Sequence, residues 1–251
     1  MMCTVSWLLT DNGYQVFFNR DEQKSRAQAV PPTPFCQQGV EYLMPVDPDG
    51  GGSWIATNEH GQSICLLNYY QGVMPKGELT SRGQLVKSLA SFTNYTQVDE
   101  YLQSIELSQF APFSMLIFEP DLTKHNSTVK GVCWTGQSLV YIRPNPPLIS
   151  SSVDYQMAFE LRSECYQSFT AIEANVDQLL AFHSSHIPSK GHLSTCMHRK
   201  DAHTVSFTHI LVNESEKGMS YYPGSPCTGV SESYLTQNRI SLLPTSNVKI
   251  A

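Results

Sequence analysis

Residues 3–22 read CTVSWLLTDNGYQVFFNRDE, and their pattern predicts a β-hairpin. Val5, Trp7 and Leu9 alternate with neighbours that would face the other side of a strand. The Asn12-Gly13 pair tolerates the positive φ angles of a tight hairpin turn. Because a short antiparallel hairpin brings the start of its first strand beside the end of its second, we expect Cys3 to lie next to Arg20 and Asp21.

A second hairpin is predicted after a proline-rich stretch. Residues 23–48 contain five prolines and show little periodicity, so we expect an irregular excursion over the surface or over a pocket. Gly50-Gly51-Gly52 then leads into predicted strands at 53–57 and 62–68. This hairpin places Asn68 at the end of the fourth strand.

The rest of the chain alternates helices with groups of strands. Helical periodicity predicts helices at 81–92, 98–107, 155–169 and 172–183, and apolar runs predict strands at 114–118, 132–134, 138–142, 204–213, 218–222 and 234–243. This order favours an α+β fold, a four-layer αββα sandwich of antiparallel sheets covered by helices. A length of 251 residues suits one domain, so we expect residues 1–251 to form a single domain.

Composition excludes several classes of function. A net charge of −6 and a pI near 5.7 leave no basic face, so nucleic acid is not an expected partner. The chain has no run of eighteen apolar residues and no recognisable secretory signal, which predicts a cytoplasmic protein without a membrane span.

Cysteine and histidine spacing does not predict a metal site. The seven cysteines are an odd number, lie far apart and include no CxxC pair, which indicates reduced thiols. No two histidines have the helical spacing of metal ligands, and His203 and His209 flank an apolar strand, where packing is the simpler role. We therefore expect neither a metal nor a cofactor.

Cys3 is the candidate nucleophile. If it were the first residue of the mature chain, its α-amine would titrate near pH 8 and could take the thiol proton. Arg20 would lower the thiol pKa, Asp21 would orient the amine, and the Asn68 amide would face a developing oxyanion. The simpler alternatives are a buried Cys3, an Arg20-Asp21 ion pair that anchors the following segment, and Asn68 as a turn former.

The ordered motifs resemble one known family. They are the Met-Cys start, Phe18-Asn19-Arg20-Asp21-Glu22, Gly51-Gly52-Ser53-Trp54-Ile55-Ala56, Asn58-Glu59-x-Gly61 and Leu67-Asn68-Tyr69. Together they resemble the Asn-Arg-Asp-Glu (NRDE) family, also called the transport and Golgi organisation protein 2 family. The resemblance covers about the first seventy residues and continues more weakly to about residue 222.

That family is similar to the bile-salt hydrolase and penicillin V acylase group of N-terminal-nucleophile hydrolases. The resemblance implies that Cys3 is the nucleophile, that Arg20 and Asp21 organise the site and that Asn68 stabilises the oxyanion. In the amidases two residues separate the Arg from the Asp. Here Arg20 and Asp21 are adjacent, so their side chains must point to opposite faces of a strand. Either Asn19 with Asp21 or Arg20 with Glu22 therefore accompanies the thiol.

Further site residues follow from the same resemblance. A second amidase Asn corresponds in region to Ser150-Ser151-Ser152, and a later amidase Arg corresponds to Arg199. Trp54 belongs to a core strand, with substrate contact as the alternative. The candidate substrate-binding residues are thus Asn19, Glu22, Trp54 and Arg199.

Two main functions remain open at this point, and a purely structural interaction module is a third possibility if side chains prove to fill the pocket. The first is a cytosolic hydrolase that acts on a non-peptide C–N amide bond of a small-molecule substrate. The second, which the eukaryotic relatives imply, is a non-catalytic protein that binds a hydrophobic ligand such as haem, a lipid or acyl-CoA, with a role in haem trafficking or secretory organisation. Because methionine aminopeptidase needs a small second residue, translation from Met2 rather than Met1 would be needed to free Cys3.

Overall fold

The structure is a computed structural model that describes residues 2–242. Its thirteen strands are β1 Met2–Thr10, β2 Gly13–Gln23, β3 Val30–Gln37, β4 Val40–Val46, β5 Ile55–Asn58, β6 Ser63–Asn68, β7 Phe113–Phe118, β8 Lys130–Trp134, β9 Leu139–Ile142, β10 Leu148–Ser151, β11 Ala202–Asn213, β12 Lys217–Tyr222 and β13 Arg239–Leu242 within that range. Its α-helices are α1 Gly83–Leu89, α2 Tyr95–Ser104, α3 Tyr155–Thr170, α4 Val176–Ser184 and α5 Glu232–Gln237.

The strands form two sheets in which neighbouring strands are antiparallel. The first sheet has the order β10-β1-β2-β11-β12-β13, and the second has the order β3-β4-β5-β6-β7-β8-β9. The predicted hairpin forms the centre of the first sheet, and Gly13 adopts a φ of 153° at its turn. A Cβ at Gly13 would meet the Val212 carbonyl oxygen of β11 at 2.0 Å, so glycine is required there.

The two sheets pack face to face through alternate side chains. Val16 and Phe18 of β2 face the second sheet and join a buried cluster with Ile55 and Leu116. Phe17 points the other way and packs against Leu179 of α4. The central strand β2 is therefore buried on both of its faces.

Helices cover the outer face of each sheet. Helices α3, α4 and α5 lie over the first sheet, and α1 and α2 lie over the second, where Leu85 and Val98 pack against Ile64 and Met115. The order of layers is α, β, β, α, which confirms the predicted four-layer sandwich. The described helices include none long and apolar enough to cross a membrane.

The prediction of an irregular segment at residues 23–48 was wrong. Most of that stretch forms the β3–β4 hairpin, with Gln38 and Gly39 at positive φ in its turn. Prolines are tolerated because β3 is the outermost strand of its sheet, where a missing backbone N–H costs no ladder hydrogen bond on the open side.

The single strand predicted at 234–243 was also wrong for the described residues. Residues up to Gln237 form the short helix α5, and only Arg239–Leu242 form a strand, while position 243 lies outside the described range. The Ser231 side chain accepts a hydrogen bond from the Tyr234 backbone N–H and caps the helix. The cap and the buried Leu235 outweigh the local preference for an extended chain.

Candidate functional site

Cys3 lies where three strands meet. It is opposite Arg20 in the register of β1 and β2, and opposite Ser150 in the register of β1 and β10. Its backbone N–H donates to Ser150 Oγ at 3.1 Å. The structure thus brings Cys3 and Arg20 together as the hairpin predicted, and Ser150 completes the surroundings of the Cys3 nitrogen.

Alternation along β2 separates the neighbouring polar residues. Arg20 and Glu22 share the face of Cys3 and line, with it, a cavity of about 520 Å³. Asp21 borders this cavity, but its carboxylate is directed to the opposite side of the sheet, toward Thr204 and α3. Of the two alternatives that the sequence left open, the structure places Arg20 and Glu22 beside the thiol.

The Arg20 side chain is fixed by charge and by stacking. Its Nη2 lies 3.4 Å from Glu22 Oε2 and 3.6 Å from Asp47 Oδ1. Its guanidinium lies 4.3 Å from the ring centroid of Trp54, which forms part of the cavity wall. Arg26 also approaches the Asp47 carboxylate, with 3.1 Å between Arg26 Nε and Asp47 Oδ1. Arg20 is therefore held in one orientation beside Cys3.

The cavity is rich in charge of both signs. Its basic residues are Arg20, Arg26 and Arg82, and its acidic residues are Asp21, Glu22, Asp47 and Asp49. A second cavity of about 350 Å³ has a mostly apolar wall, which includes Leu67, Val140 and Leu148. Asn68 lines both cavities.

The Asp21 carboxylate is buried and only partly satisfied. Oδ1 accepts a hydrogen bond from Thr204 Oγ1 at 2.6 Å, while Oδ2 has no hydrogen-bond partner among the described residues. Burial raises the pKa of Asp21 to about 7, although Arg162 and the Thr204 hydrogen bond oppose the shift. Oδ2 lies 3.9 Å from Arg162 Nη1, too far for a hydrogen bond, so it can still accept one from a further donor.

The Cys3 thiol is poorly acidic in this environment. Burial raises its pKa to about 12, and the nearby Asp21 charge adds to the shift. A hydrogen bond from the Asp21 backbone N–H and the positive charge of Arg20 act in the opposite direction. Nucleophilic attack by this thiol therefore needs a base that removes its proton.

Asn68 makes one side-chain hydrogen bond near the site. Its Nδ2 donates to the Tyr70 hydroxyl at 2.7 Å. Burial raises the Tyr70 pKa to about 12, so the phenol stays protonated at neutral pH. Tyr70 and Arg82 both lie close enough to Cys3 to interact electrostatically with it, and Arg82 is oriented by a 2.9 Å hydrogen bond to the Pro112 carbonyl.

Two predicted substrate-binding residues lie away from the cavity. Asn19 is fully buried behind β2, where its Nδ2 donates to the carbonyls of His183 and Thr195 at 2.9 and 3.0 Å. Arg199 pairs with Asp201 in the turn that precedes β11, at 2.8 Å between Nη2 and Oδ2. The expectation that both contact substrate conflicts with their positions, because strand alternation turns Asn19 toward α4 and the local turn holds Arg199 at the surface. Glu22 and Trp54 do line the cavity.

Some site residues gave little signal in the sequence. Tyr70 immediately follows the Asn68-Tyr69 motif and could have been included with it. Arg82 lies just before α1, a position that a predicted helix start could have highlighted. Arg162 lies within α3 and is fully buried. The sequence alone does not distinguish it from a helical arginine that is exposed to solvent.

One group of side chains could hold a metal ion, although spacing did not predict it. The ligand atoms of His186, Cys196, His198 and Cys227 all lie within 4.8 Å of one another. These residues do not line the Cys3 cavity. Apart from Cys196-x-His198, they are scattered along the chain and meet only through the fold.

Three solved structures with a similar fold are, by their names, a hydrolase, an amidase and an acylase. A conjugated bile acid hydrolase from Clostridium perfringens is 12% identical, covers 88% of this chain and 89% of its own, and has a TM-score of 0.58. The Caenorhabditis elegans orthologue of N-acylethanolamine-hydrolyzing acid amidase is 12% identical, with coverages of 97% and 100% and a TM-score of 0.55. Penicillin V acylase from Agrobacterium tumefaciens is 9% identical, with coverages of 97% and 98% and a TM-score of 0.52. At these identities the likeness shows the N-terminal-nucleophile hydrolase fold.

Sequence comparison supplies the family. A search of curated proteins finds no match. The family model of Transport and Golgi organisation 2 matches residues 2–222, which is most of the chain and includes Cys3, Arg20, Asp21 and Asn68. The protein therefore belongs to the Transport and Golgi organisation 2 family.

Proposed function

We propose that this protein hydrolyses a C–N amide bond of an acylated small-molecule amine, with Cys3 as nucleophile. The observation that carries the proposal is the strand register, which sets Cys3 beside Arg20 on the wall of a cavity of about 520 Å³. The fold that the chain shares with bile acid hydrolase, N-acylethanolamine-hydrolyzing acid amidase and penicillin V acylase supports the same reaction class. We place the activity in the cytoplasm, where its free thiols would stay reduced.

The reaction requires a free α-amine on Cys3. The thiol would pass its proton to this amine as the sulfur attacks the substrate carbonyl carbon. The resulting ammonium would then protonate the leaving nitrogen as the C–N bond breaks, which releases the amine and leaves an acyl thioester on Cys3. Water, deprotonated by the same α-amine, would hydrolyse the thioester and restore the thiol.

Neighbouring residues have roles consistent with this chemistry. Asp21 Oδ2, which is buried and has no hydrogen-bond partner among the described residues, would accept a hydrogen bond from the Cys3 ammonium. Asn68 Nδ2 would turn from Tyr70 toward the oxyanion of the tetrahedral intermediate. Arg20, held by Glu22 and stacked on Trp54, would orient the polar part of the substrate.

The two cavities suggest how the substrate is divided. The apolar cavity of about 350 Å³ suits an acyl group, and the charged cavity suits a polar or zwitterionic amine. Asn68 lines both cavities, so an amide bond of a substrate that reaches into both would have its carbonyl near the Asn68 amide. We therefore favour N-acyl amines with a polar head over simple peptides.

The direct test uses a chain that begins at Cys3, obtained by removing a cleavable N-terminal tag. A panel of N-acyl amines would be incubated with it, and the intact mass of the protein would be measured on rapid acid quenching. We expect a mass increase equal to the acyl group, located on Cys3 by peptide mapping, together with release of free amine. Cys3→Ala should abolish both signals.

A matched control isolates the amine. A chain with one glycine before Cys3 keeps the thiol but converts the α-amine into a peptide N–H. We expect this form to fold normally and to lose turnover by at least two orders of magnitude, in line with the loss of a general base. Equal turnover with and without the added glycine would refute the mechanism.

A second candidate function is binding of a hydrophobic ligand without chemistry. The observation that favours it is the apolar cavity beside Asn68, which has Leu67, Ile142 and Ile149 in its wall. Acyl-CoA and haem would be titrated separately, by calorimetry and by the shift of the haem Soret band. Saturable binding that persists in Cys3→Ala and falls in Leu67→Trp would support a carrier function, and the absence of saturable binding for both ligands would exclude it.

A further inference from the structure

Four potential metal ligands converge behind the first sheet. His186 follows α4, Cys196 and His198 lie in the segment before β11, and Cys227 lies in a single 3₁₀ turn, Pro226–Thr228, after β12. Three separate parts of the chain therefore contribute to one cluster. Such convergence requires the folded state, which is the usual property of a structural metal site.

The distances fit tetrahedral coordination. His198 Nε2 lies 3.5 Å from Cys196 Sγ and 3.4 Å from Cys227 Sγ. Around a tetrahedral Zn²⁺ with Zn–S near ~2.3 Å and Zn–N near ~2.0 Å, a sulfur and a nitrogen are separated by roughly 3.5 Å. These two distances are those that a bound ion would impose, and all four ligand atoms lie within 4.8 Å of one another.

His186 adds an independent indication. Its Nε2 is buried and has no hydrogen-bond partner among the residues of the 2–242 range. Its ring lies edge-on to the ring of His198, with 5.0 Å between centroids. A buried imidazole nitrogen without a partner is costly, and coordination to a metal would remove that cost.

The donor set selects zinc. Two thiolates and two neutral imidazoles are a known tetrahedral set for Zn²⁺, and their two negative charges neutralise the ion. A neutral complex suits this place, where Cys196 is buried and the other three ligands are half-buried. Four protein ligands leave no open position, so the site would be structural rather than catalytic.

We propose that His186, Cys196, His198 and Cys227 bind one structural Zn²⁺. Binding converts two thiols into thiolates and releases two protons, while both histidines coordinate as neutral imidazoles. The main alternative for the same cysteines is a Cys196–Cys227 disulfide. That bond would bring the two sulfurs within about 2.05 Å of each other, and no metal would then bind to the two histidines.

The metal would also support the wall of the Cys3 cavity. The Met197 backbone N–H, located between ligands Cys196 and His198, donates to Thr204 Oγ1 at 2.8 Å. The same hydroxyl donates to Asp21 Oδ1 at 2.6 Å. Fixing the ligand-bearing segment would fix the hydroxyl that orients Asp21. The effect on Asp21 rests on the proposed hydrolase function. Zinc binding by the four ligands does not depend on that function.

The test uses the full chain, purified under reducing conditions and supplied with ZnCl₂ and then, after removal of zinc, with CoCl₂. We expect one equivalent of tightly held zinc by mass-spectrometric elemental analysis. The cobalt form should show intense tetrahedral d–d absorption and a thiolate-to-cobalt charge-transfer band, which arises only from thiolate ligation. Chelation of the metal should lower the thermal midpoint of unfolding.

Matched variants locate the site. Cys196→Ser, Cys227→Ser and His198→Gln should each lose the charge-transfer band or reduce its intensity and weaken zinc retention by at least tenfold. The control variants are Cys36→Ser, which removes an exposed cysteine, and His192→Gln, which removes a histidine outside the cluster. Both should retain one equivalent of zinc. The cobalt spectrum of the unmutated chain provides a readout that does not depend on how well any variant folds.

Three results would overturn the proposal. One is a reduced, folded chain that retains no zinc and shows no cobalt–thiolate band. Another is equal loss of metal in the control variants and in the cluster variants, which would place the ion elsewhere. A Cys196–Cys227 disulfide in protein alkylated before lysis would likewise refute it.

Discussion

Arg162 and Asp21 form a fully buried ion pair beneath the nucleophile strand, with 3.9 Å between Arg162 Nη1 and Asp21 Oδ2. Arg162 also donates from Nη1 to Thr4 Oγ1 at 2.6 Å and from its other nitrogens to the Leu193 and His192 carbonyls, both at 3.2 Å. One side chain of α3 therefore joins β1, β2 and the segment that carries Cys196. Arg162 therefore supports the candidate site without lining its cavity.

Replacing Arg162 should destabilise the protein in a pH-dependent way. Arg162 lowers the Asp21 pKa, so Arg162→Met would raise that pKa further and make the ionised carboxylate, which the unmutated chain holds above about pH 7, costly to keep buried. We expect a loss of about 3–5 kcal/mol in the free energy of unfolding at pH 8, typical of breaking a buried pair. At pH 5, where Asp21 is protonated, the loss should be smaller. Urea unfolding at both pH values measures this, and an equal loss at pH 5 and pH 8 would contradict it.

Asp21→Asn should change the slope of stability against pH. The Asp21 pKa rises from 3.8 to about 7 on folding, so the folded state holds this proton more tightly. Its contribution to stability is therefore fully present below about pH 4 and is lost as the pH rises through 7. We expect the difference in unfolding free energy, Asn variant minus unmutated chain, to grow by on the order of 2–4 kcal/mol between pH 4 and 8. The slope is the readout, because the Asn variant also leaves Arg162 without its partner. A difference that does not vary with pH would show that Asp21 is ionised throughout.

Removing the Arg20 charge should make Cys3 less reactive. Arg20 lowers the pKa of the Cys3 thiol, against the larger effects of burial and of Asp21. Arg20→Gln should therefore slow alkylation of Cys3 by iodoacetamide several-fold at pH 8, since the thiolate is the reacting form. Peptide mapping would separate Cys3 from the other cysteines. Arg26→Gln is the matched control, because Arg26 pairs with the same Asp47 but does not contribute to the Cys3 shift. Equal slowing in both variants would point to a general loss of structure.

Local rules were enough for the part of the site that one hairpin builds. Alternation on either side of Asn12-Gly13 fixed the register of β1 and β2, and register alone brings Cys3 to Arg20. The same alternation separates Asp21 from Arg20, but it does not say which face meets the other sheet. That choice depends on the packing of Val16 and Phe18 against a sheet formed later in the chain.

The remaining features depend on contacts that are distant in sequence. Arg162 meets Thr4 across 158 positions, and Thr204 meets Asp21 across 183. A single sequence carries no signal for such pairs, because helical periodicity does not distinguish a buried arginine from an exposed one. The same holds for His186 and Cys227, which lie close together only because α4 packs on the first sheet and the turn with Cys227 follows β12 of that sheet. The β3 strand was missed for a different reason. Prolines normally argue against a strand, but an edge strand tolerates them, and the sequence does not show that β3 is at an edge.

Asn19 should prove to be a structural residue. Its amide group bonds the carbonyls of His183 and Thr195, and its Oδ1 lies 3.0 Å from His183 Nδ1. Burial lowers the His183 pKa to about 3, so the ring is neutral and can donate from Nδ1 to Asn19 while Nε2 accepts from Ser6. Asn19→Ala would leave these buried groups unpaired, and we expect a loss of about 2–4 kcal/mol in the unfolding free energy.

Gln71→Ala is the comparison for Asn19→Ala, because Gln71 makes one long hydrogen bond, 3.5 Å from its Nε2 to the Ser151 carbonyl. It should cost less than about 1 kcal/mol in urea unfolding at neutral pH. A cost for Asn19→Ala as small as that for Gln71→Ala would mean that the buried network around His183 re-forms without the amide. In that case the first position of the Asn19-Arg20-Asp21-Glu22 motif would need a role other than anchoring α4, and direct contact with substrate would again have to be tested.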